Sequence, residues 1–201
     1  LVREALDNFV YQAETIIRIN PYDSPYYLDD INMVKDLDIN MILLPKADIE
    51  SVNVLAENLK NTDIKIMVLI ESAMGVEKVF DILNASSLCL GLMLGGEDLC
   101  LDLNCVKTKE RHELLYARSR VVNAARALGK FAVDTPFIDP SDEKGLEKDA
   151  QFAKNLGFDG KAAINPRQII TVNNIFSPTA EEINHSIRVM DAKKIAVKKG
   201  L

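Results

Sequence analysis

The chain has 201 residues, 48% of them hydrophobic and 27% charged, with a formal net charge of −6. This is the composition of an ordinary globular protein with ample residues for a core. The acidic balance argues against nucleic acid as the main partner, and no apolar stretch approaches the roughly 20 residues a membrane helix needs. Leu1 to Val10 carries charges throughout, which argues against a secretory signal. The chain opens on Leu1 rather than methionine, so an N-terminal piece is expected to be absent from it or cleaved.

Cys89, Cys100 and Cys105 are odd in number and lack CxxC spacing. They predict neither a disulfide framework nor a zinc site, and they fit a reducing cytoplasm. Cys89 lies inside an apolar run and reads as a buried thiol. His112 and His185 fall in helical-looking segments and read as surface residues, so a zinc or iron site is short of ligands.

Taken in order, Thr15 to Ile19 is a β-branched run and Pro25 to Asp38 looks helical. Asn40 to Leu44 is apolar and stops at Pro45-Lys46. Asp48 is placed to cap a helix running to about Lys60. Lys65 to Ile70 (KIMVLI) is the next strand, and Glu71 follows at once. Ser72 and Gly75 open a short helix with Val76, Val79, Phe80 and Leu83 at helical spacing. Leu88 to Leu94 (LCLGLML) is a fourth strand, followed by Gly95-Gly96, which reads as a turn, then Glu97 and Asp98.

Thr108 is expected to cap a long helix through Leu128 that stops at Gly129. Phe131 to Asp134 is a short strand. Ser141 precedes a helix with Leu146, Ala150 and Ala153 in phase, ending at Gly157. Asp159 to Ile164 gives a sixth strand, and Pro166 starts a helical turn. Thr179-Ala-Glu-Glu opens a last helix toward Lys199, whose basic end reads as a solvated face with favourable dipole pairing.

Strands alternating with helices, with no linker or low-complexity tract, predict a single α/β domain over residues 1–201 with a parallel sheet. Function at several successive strand ends favours a (β/α)8 TIM barrel over a doubly wound sheet. A complete barrel has eight strands and about 250 residues. Two β/α units are therefore expected to be lacking, which leaves open edges.

Glu71 and Asp98 each stand just past the downstream end of an apolar run, about one β/α unit apart. In parallel β/α folds neighbouring strand ends converge on one face, where ligands bind. Two carboxylates there predict a hard-cation site, with Mg²⁺ the most suitable ion.

Several segments then carry a resemblance. Arg18-Ile-Asn20, Leu44-Pro45-Lys46, Leu69-Ile-Glu-Ser-Ala-Met-Gly75, Leu94-Gly-Gly-Glu-Asp-Leu99, Gly157-Phe-Asp-Gly-Lys161, Ile164-Asn-Pro-Arg-Gln-Ile169 and Val172-Asn-Asn-Ile-Phe-Ser-Pro178 occur in the order seen in the citrate lyase β-subunit and malyl-CoA lyase family. The resemblance covers nearly the whole chain. It implies a TIM barrel of the phosphoenolpyruvate/pyruvate type and Mg²⁺-dependent carbon–carbon chemistry between an acyl-CoA and a 2-oxo acid.

By the same resemblance Glu71 and Asp98 are metal ligands, and Arg18 grips the oxo-acid carboxylate. The backbone around Glu97 and Asp98 belongs to the substrate site. The family's CoA-contacting first strand and its Asp-Leu-Glu-Asp strand are not in the chain, whose first ten residues resemble the helix that follows them. Asn165 stands where relatives carry a histidine before the proline.

The activity implied is cleavage of citryl-CoA to acetyl-CoA and oxaloacetate. Malyl-CoA cleavage and aldol cleavage of a free hydroxy oxo acid are the enzymatic alternatives. An inactive or accessory subunit that binds metal and oxo acid is the non-enzymatic one. A homo-oligomer, trimeric or larger, or a place in a lyase complex is implied too. Among other charges, Lys46 reads as structural or solvated, Asp134 as a support, and Arg118 as a tether between the long helix and the barrel.

Overall fold

In the computed structural model, which describes residues 13–198, the apolar runs form a parallel sheet in which each strand lies beside the next in sequence. The strands are β1 (Ile16–Arg18), β2 (Met41–Leu44), β3 (Lys65–Ile70), β4 (Cys89–Leu94), β5 (Phe131–Asp134) and β6 (Gly160–Lys161). Ile17 pairs with Ile42, Ile42 with Ile66, Val68 with Leu92, Leu92 with Ala132 and Val133 with Gly160. The six strands make a curled half-barrel. Both faces are covered, which is why these strands read as unbroken apolar runs.

Alternation along each strand assigns the faces. Ile42, Leu44, Ile66, Val68, Ile70, Leu92 and Ala132 join the main core beneath the helices. Met41, Leu43, Met67 and Leu69, with Met93, Phe131 and Val133, form a smaller cluster on the other face, inside the curl. Gly91 makes room there: a Cβ on it would lie 2.5 Å from the Phe131 ring.

The helices are α1 (Tyr27–Lys35), α2 (Ile49–Leu59), α3 (Ala73–Glu77), α4 (Val79–Asn84), α5 (Gly96–Asp102), α6 (Leu115–Ala127), α7 (Glu143–Leu156), α8 (Arg167–Phe176) and α9 (Ala180–Lys198). Their ends follow local chemistry. Asp48 caps α2 in a reciprocal box with Ser51, and Ser72 accepts from the Gly75 N–H. Thr179 and Glu182 exchange hydrogen bonds at the start of α9. Gly157, in the left-handed conformation at φ 100°, ends α7.

Four elements depart from expectation. The short helix opened by Ser72 is broken at Lys78 into α3 and α4. The long helix does not run from Thr108. Arg111 adopts left-handed φ/ψ of 55° and 35°, a 3₁₀ turn covers His112–Leu114, and α6 begins at Leu115. The Gly95-Gly96 turn is the start of α5, a short helix of seven residues. Strand β6 stops at Lys161 because the Ile164 and Asn165 N–H groups turn to the Gln168 side chain (3.0 and 3.3 Å). The helix expected over Leu1 to Val10 lies outside the described residues. Among the described residues no helix is long and apolar enough to cross a membrane.

Candidate functional site

The inner-face register carries past the strand ends. Arg18 pairs with Leu43 at the end of β1 and so shares its face. Glu71 follows Leu69 by two positions, and Gly95 follows Met93 by two. The downstream ends of β1, β3 and β4 thus place Arg18, Glu71 and Gly95 around one mouth of the curl, with Asp98 in the first turn of α5.

Glu71 is 8% exposed. Its Oε1 accepts a 2.8 Å hydrogen bond from the Lys46 N–H. Lys46 reaches it from the β2 end on a left-handed backbone, φ 47°, while its side chain stays exposed. The Asp98 carboxyl lies beside Glu71, close enough to raise its pKa, and Arg18 is close enough for its charge to favour the ionised acid. Burial above all raises the Glu71 pKa. The Lys46 N–H pulls the other way, Asp98 adds to the rise, and Arg18 opposes it.

A cation placed between two neighbouring carboxylates, one of them buried, would relieve their repulsion. Oxygen-only donors suit Mg²⁺, which keeps several waters and needs only one or two protein carboxylates. Among the described residues no three His, Cys, Asp or Glu side chains gather as a complete metal cage, so a cation here would draw its remaining ligands from water and substrate.

The neighbouring Glu97 turns away from this pair. Its carboxylate bonds Arg111 Nη2 at 3.0 Å and also meets Lys107. Gly96 completes the junction: its N–H donates to Thr135 Oγ1 at 3.0 Å, and a Cβ on it would crowd Leu114 and Thr135 at 2.9 Å.

On the opposite face, between sheet and helices, lies a buried charge cluster. Arg118 holds Asp134 through two bonds (3.0 and 2.9 Å) and Asp149 through a third (2.7 Å). Lys161 bonds Asp134 and the Thr135 carbonyl, both at 2.7 Å, and pairs with Asp149. Asp134 as a support and Arg118 as a tether agree with this geometry. Asp149, Lys161 and Arg111 were not singled out by the sequence reading. Asp149 left a signal, since it interrupts the apolar stripe of Leu146, Ala150 and Ala153. His112 and His185 are exposed as expected, and burial pushes the Cys89 thiol up to about 11.

The model of the HpcH/HpaI aldolase/citrate lyase family matches residues 1–166. The citrate lyase subunit beta of Leuconostoc mesenteroides subsp. cremoris is 39% identical over 211 residues, covering 100% of this chain and 70% of that one. The crystal structure of RipC from Yersinia pestis superposes with a TM-score of 0.79 at 33% identity, covering 84% of this chain and 79% of the other. The protein CitE from Mycobacterium tuberculosis, crystallised with magnesium, acetoacetate and coenzyme A, superposes with a TM-score of 0.76 at 29% identity, covering 96% and 72%.

Proposed function

Since the chain belongs to the HpcH/HpaI aldolase/citrate lyase family, we propose that it is a Mg²⁺-dependent carbon–carbon lyase that cleaves citryl-CoA to acetyl-CoA and oxaloacetate. The observation that carries this reading is the contact between the Glu71 and Asp98 carboxyls at the mouth of the curl, with the Arg18 charge beside them. Relatives named as citrate lyase subunit beta and a neighbour holding magnesium, an oxo acid and coenzyme A support the choice of substrate.

In this reading Glu71 and Asp98 would hold the cation, which when bound would supply Lewis-acid polarisation of a substrate oxygen. Arg18 offers a planar, permanently charged fork to the oxo-acid carboxylate. The Lys46 N–H keeps Glu71 turned into the mouth. The backbone at Glu97 and Asp98 lines the substrate site, and the Glu97 side chain anchors α5. As the hydroxyl gives up its proton to a base and its carbon becomes a carbonyl, the electron pair of the broken carbon–carbon bond passes to the thioester fragment as an enolate, which takes up a proton at carbon to give acetyl-CoA.

The same reading takes the six-strand curl of the described residues as an arc of a (β/α)8 barrel. It places the protein in the cytoplasm as a homo-oligomer or a lyase-complex subunit. The test is to incubate the protein with citryl-CoA and Mg²⁺ and follow oxaloacetate. Release that stops on chelation supports the lyase. Oxaloacetate binding without release would instead assign an accessory, non-catalytic subunit.

A further inference from the structure

Arg111 stands in an uncommon conformation for a purpose the fold alone does not supply. A non-glycine residue at φ 55° and ψ 35° is unfavourable and persists where its surroundings hold it. Its guanidinium is 8% exposed and reaches three separate elements. It donates to the Pro136 carbonyl beyond β5 at 2.7 Å, to Glu97 Oε1 in the first turn of α5 at 3.0 Å, and lies 3.8 Å from Asp149 of α7. The start of α5 has no side-chain cap. Leu99 and Cys100 bury the helix in the main core, and its polar contacts besides Glu97 include the Gly96 N–H to Thr135 and the Asp102 carboxylate accepting from the Ala73 N–H at 2.7 Å. The residue after Glu97 is Asp98.

We propose that Arg111 is a positioning residue: by clamping Glu97 it fixes the first turn of α5, and so sets the Asp98 carboxylate against Glu71. The inference rests on the metal-site reading above. Arg111 touches neither carboxylate of the pair, so it acts through Glu97 alone.

The experiment compares Arg111→Gln, Arg111→Gly and Glu97→Gln with the parent. Arg111→Gly removes the side chain while relieving the left-handed backbone, and Glu97→Gln removes the charge that Arg111 grips from the more exposed side, keeping the test open if an Arg111 variant fails to fold. Mg²⁺ affinity is read by calorimetry, and amide exchange is followed over residues 96–102. Loss of an outer support of this kind weakens metal binding about tenfold. Exchange over α5 speeds up, and Arg111→Gln combined with Glu97→Gln loses less than the sum of the two single losses, because the Arg111–Glu97 contact is common to both while the Lys107, Pro136 and Asp149 contacts belong to one variant each. Parent-like affinity and exchange in Arg111→Gly and Glu97→Gln would overturn the proposal, as would additive losses in the double variant. Should the parent itself bind no Mg²⁺, the metal reading falls separately, and exchange over α5 still decides: faster in the variants supports the clamp, unchanged refutes it.

Discussion

A Cβ on Gly95 would lie 2.6 Å from the Cβ of Glu71 and 3.1 Å from its Oε2. The Gly95 φ of −94° is open to any residue, so it is close approach, not backbone freedom, that calls for glycine here. The two strand ends meet so tightly because the inner face carries the buried acid on one side and no side chain on the other.

Gly95→Ala is therefore expected to displace Glu71 rather than merely fill space. Overpacking of this kind costs about 1–3 kcal/mol, and the displaced carboxylate should bind Mg²⁺ more weakly. Urea unfolding and calorimetric titration read the two effects. A variant that matches the parent in both would show that the strand ends stand farther apart.

Replacing the acids tests the pair directly. Glu71→Gln and Asp98→Asn should each abolish Mg²⁺-dependent oxo-acid binding while leaving the far-ultraviolet dichroism intact. Unchanged metal affinity in both removes the site. Arg18→Lys should weaken oxaloacetate binding more than Mg²⁺ binding, because lysine lacks the planar fork; equal loss of both would mark Arg18 as structural.

The buried cluster makes a stability prediction. Arg118 and Asp134 side chains are both fully buried. Arg118→Met leaves Asp134 with Lys161, and Asp149 with Lys161 and the more distant Arg111; removing one partner of such a set costs about 3–5 kcal/mol. Chemical denaturation should show that loss with no change in Mg²⁺ affinity per folded molecule. A loss below about 1 kcal/mol, the ordinary value of a surface pair, would contradict the burial.

Acidity should act on the two faces in opposite ways. Burial raises the Glu71 pKa above 4.5, so in the window just above that value the folded state keeps a proton the unfolded chain has released. This group's contribution to stability falls as pH rises through the window, while Mg²⁺ binding strengthens as the proton leaves. For Asp149, burial opposes ionisation, but the charges of Lys161 and Arg118 prevail and hold the carboxyl below 3.8. Its contribution is complete above 3.8 and is lost as pH falls through the folded-state value. Calorimetric titrations and unfolding curves at a series of pH values check both signs; Mg²⁺ affinity independent of pH would separate Glu71 from the metal.

Much of this was legible from periodicity and punctuation. Strands β3 and β5 have the limits expected from their apolar runs, and Asp48, Ser72, Thr179 and Gly157 mark helix ends as their chemistry dictates. What escaped depends on contacts between distant segments. Arg111 breaks the helix expected from Thr108, yet nothing in its neighbours calls for a left-handed residue; the reason lies at Glu97 and Pro136. Gly95-Gly96 has the composition of a turn, and its closeness to Glu71 and Thr135 emerges only once β3, β4 and β5 lie side by side. The approach of Asp98 to Glu71 was readable because strand ends are places where topology, rather than local sequence, brings side chains together.

The sheet works as a partition. Glu71, Gly95 and Arg18 hang from its concave side, while Arg118, Asp134, Asp149 and Lys161 staple the helices to its convex side. Side chains at the mouth can therefore be exchanged without loosening the staple. Arg111, which touches both Glu97 and Asp149, is where a change in one compartment would be felt in the other.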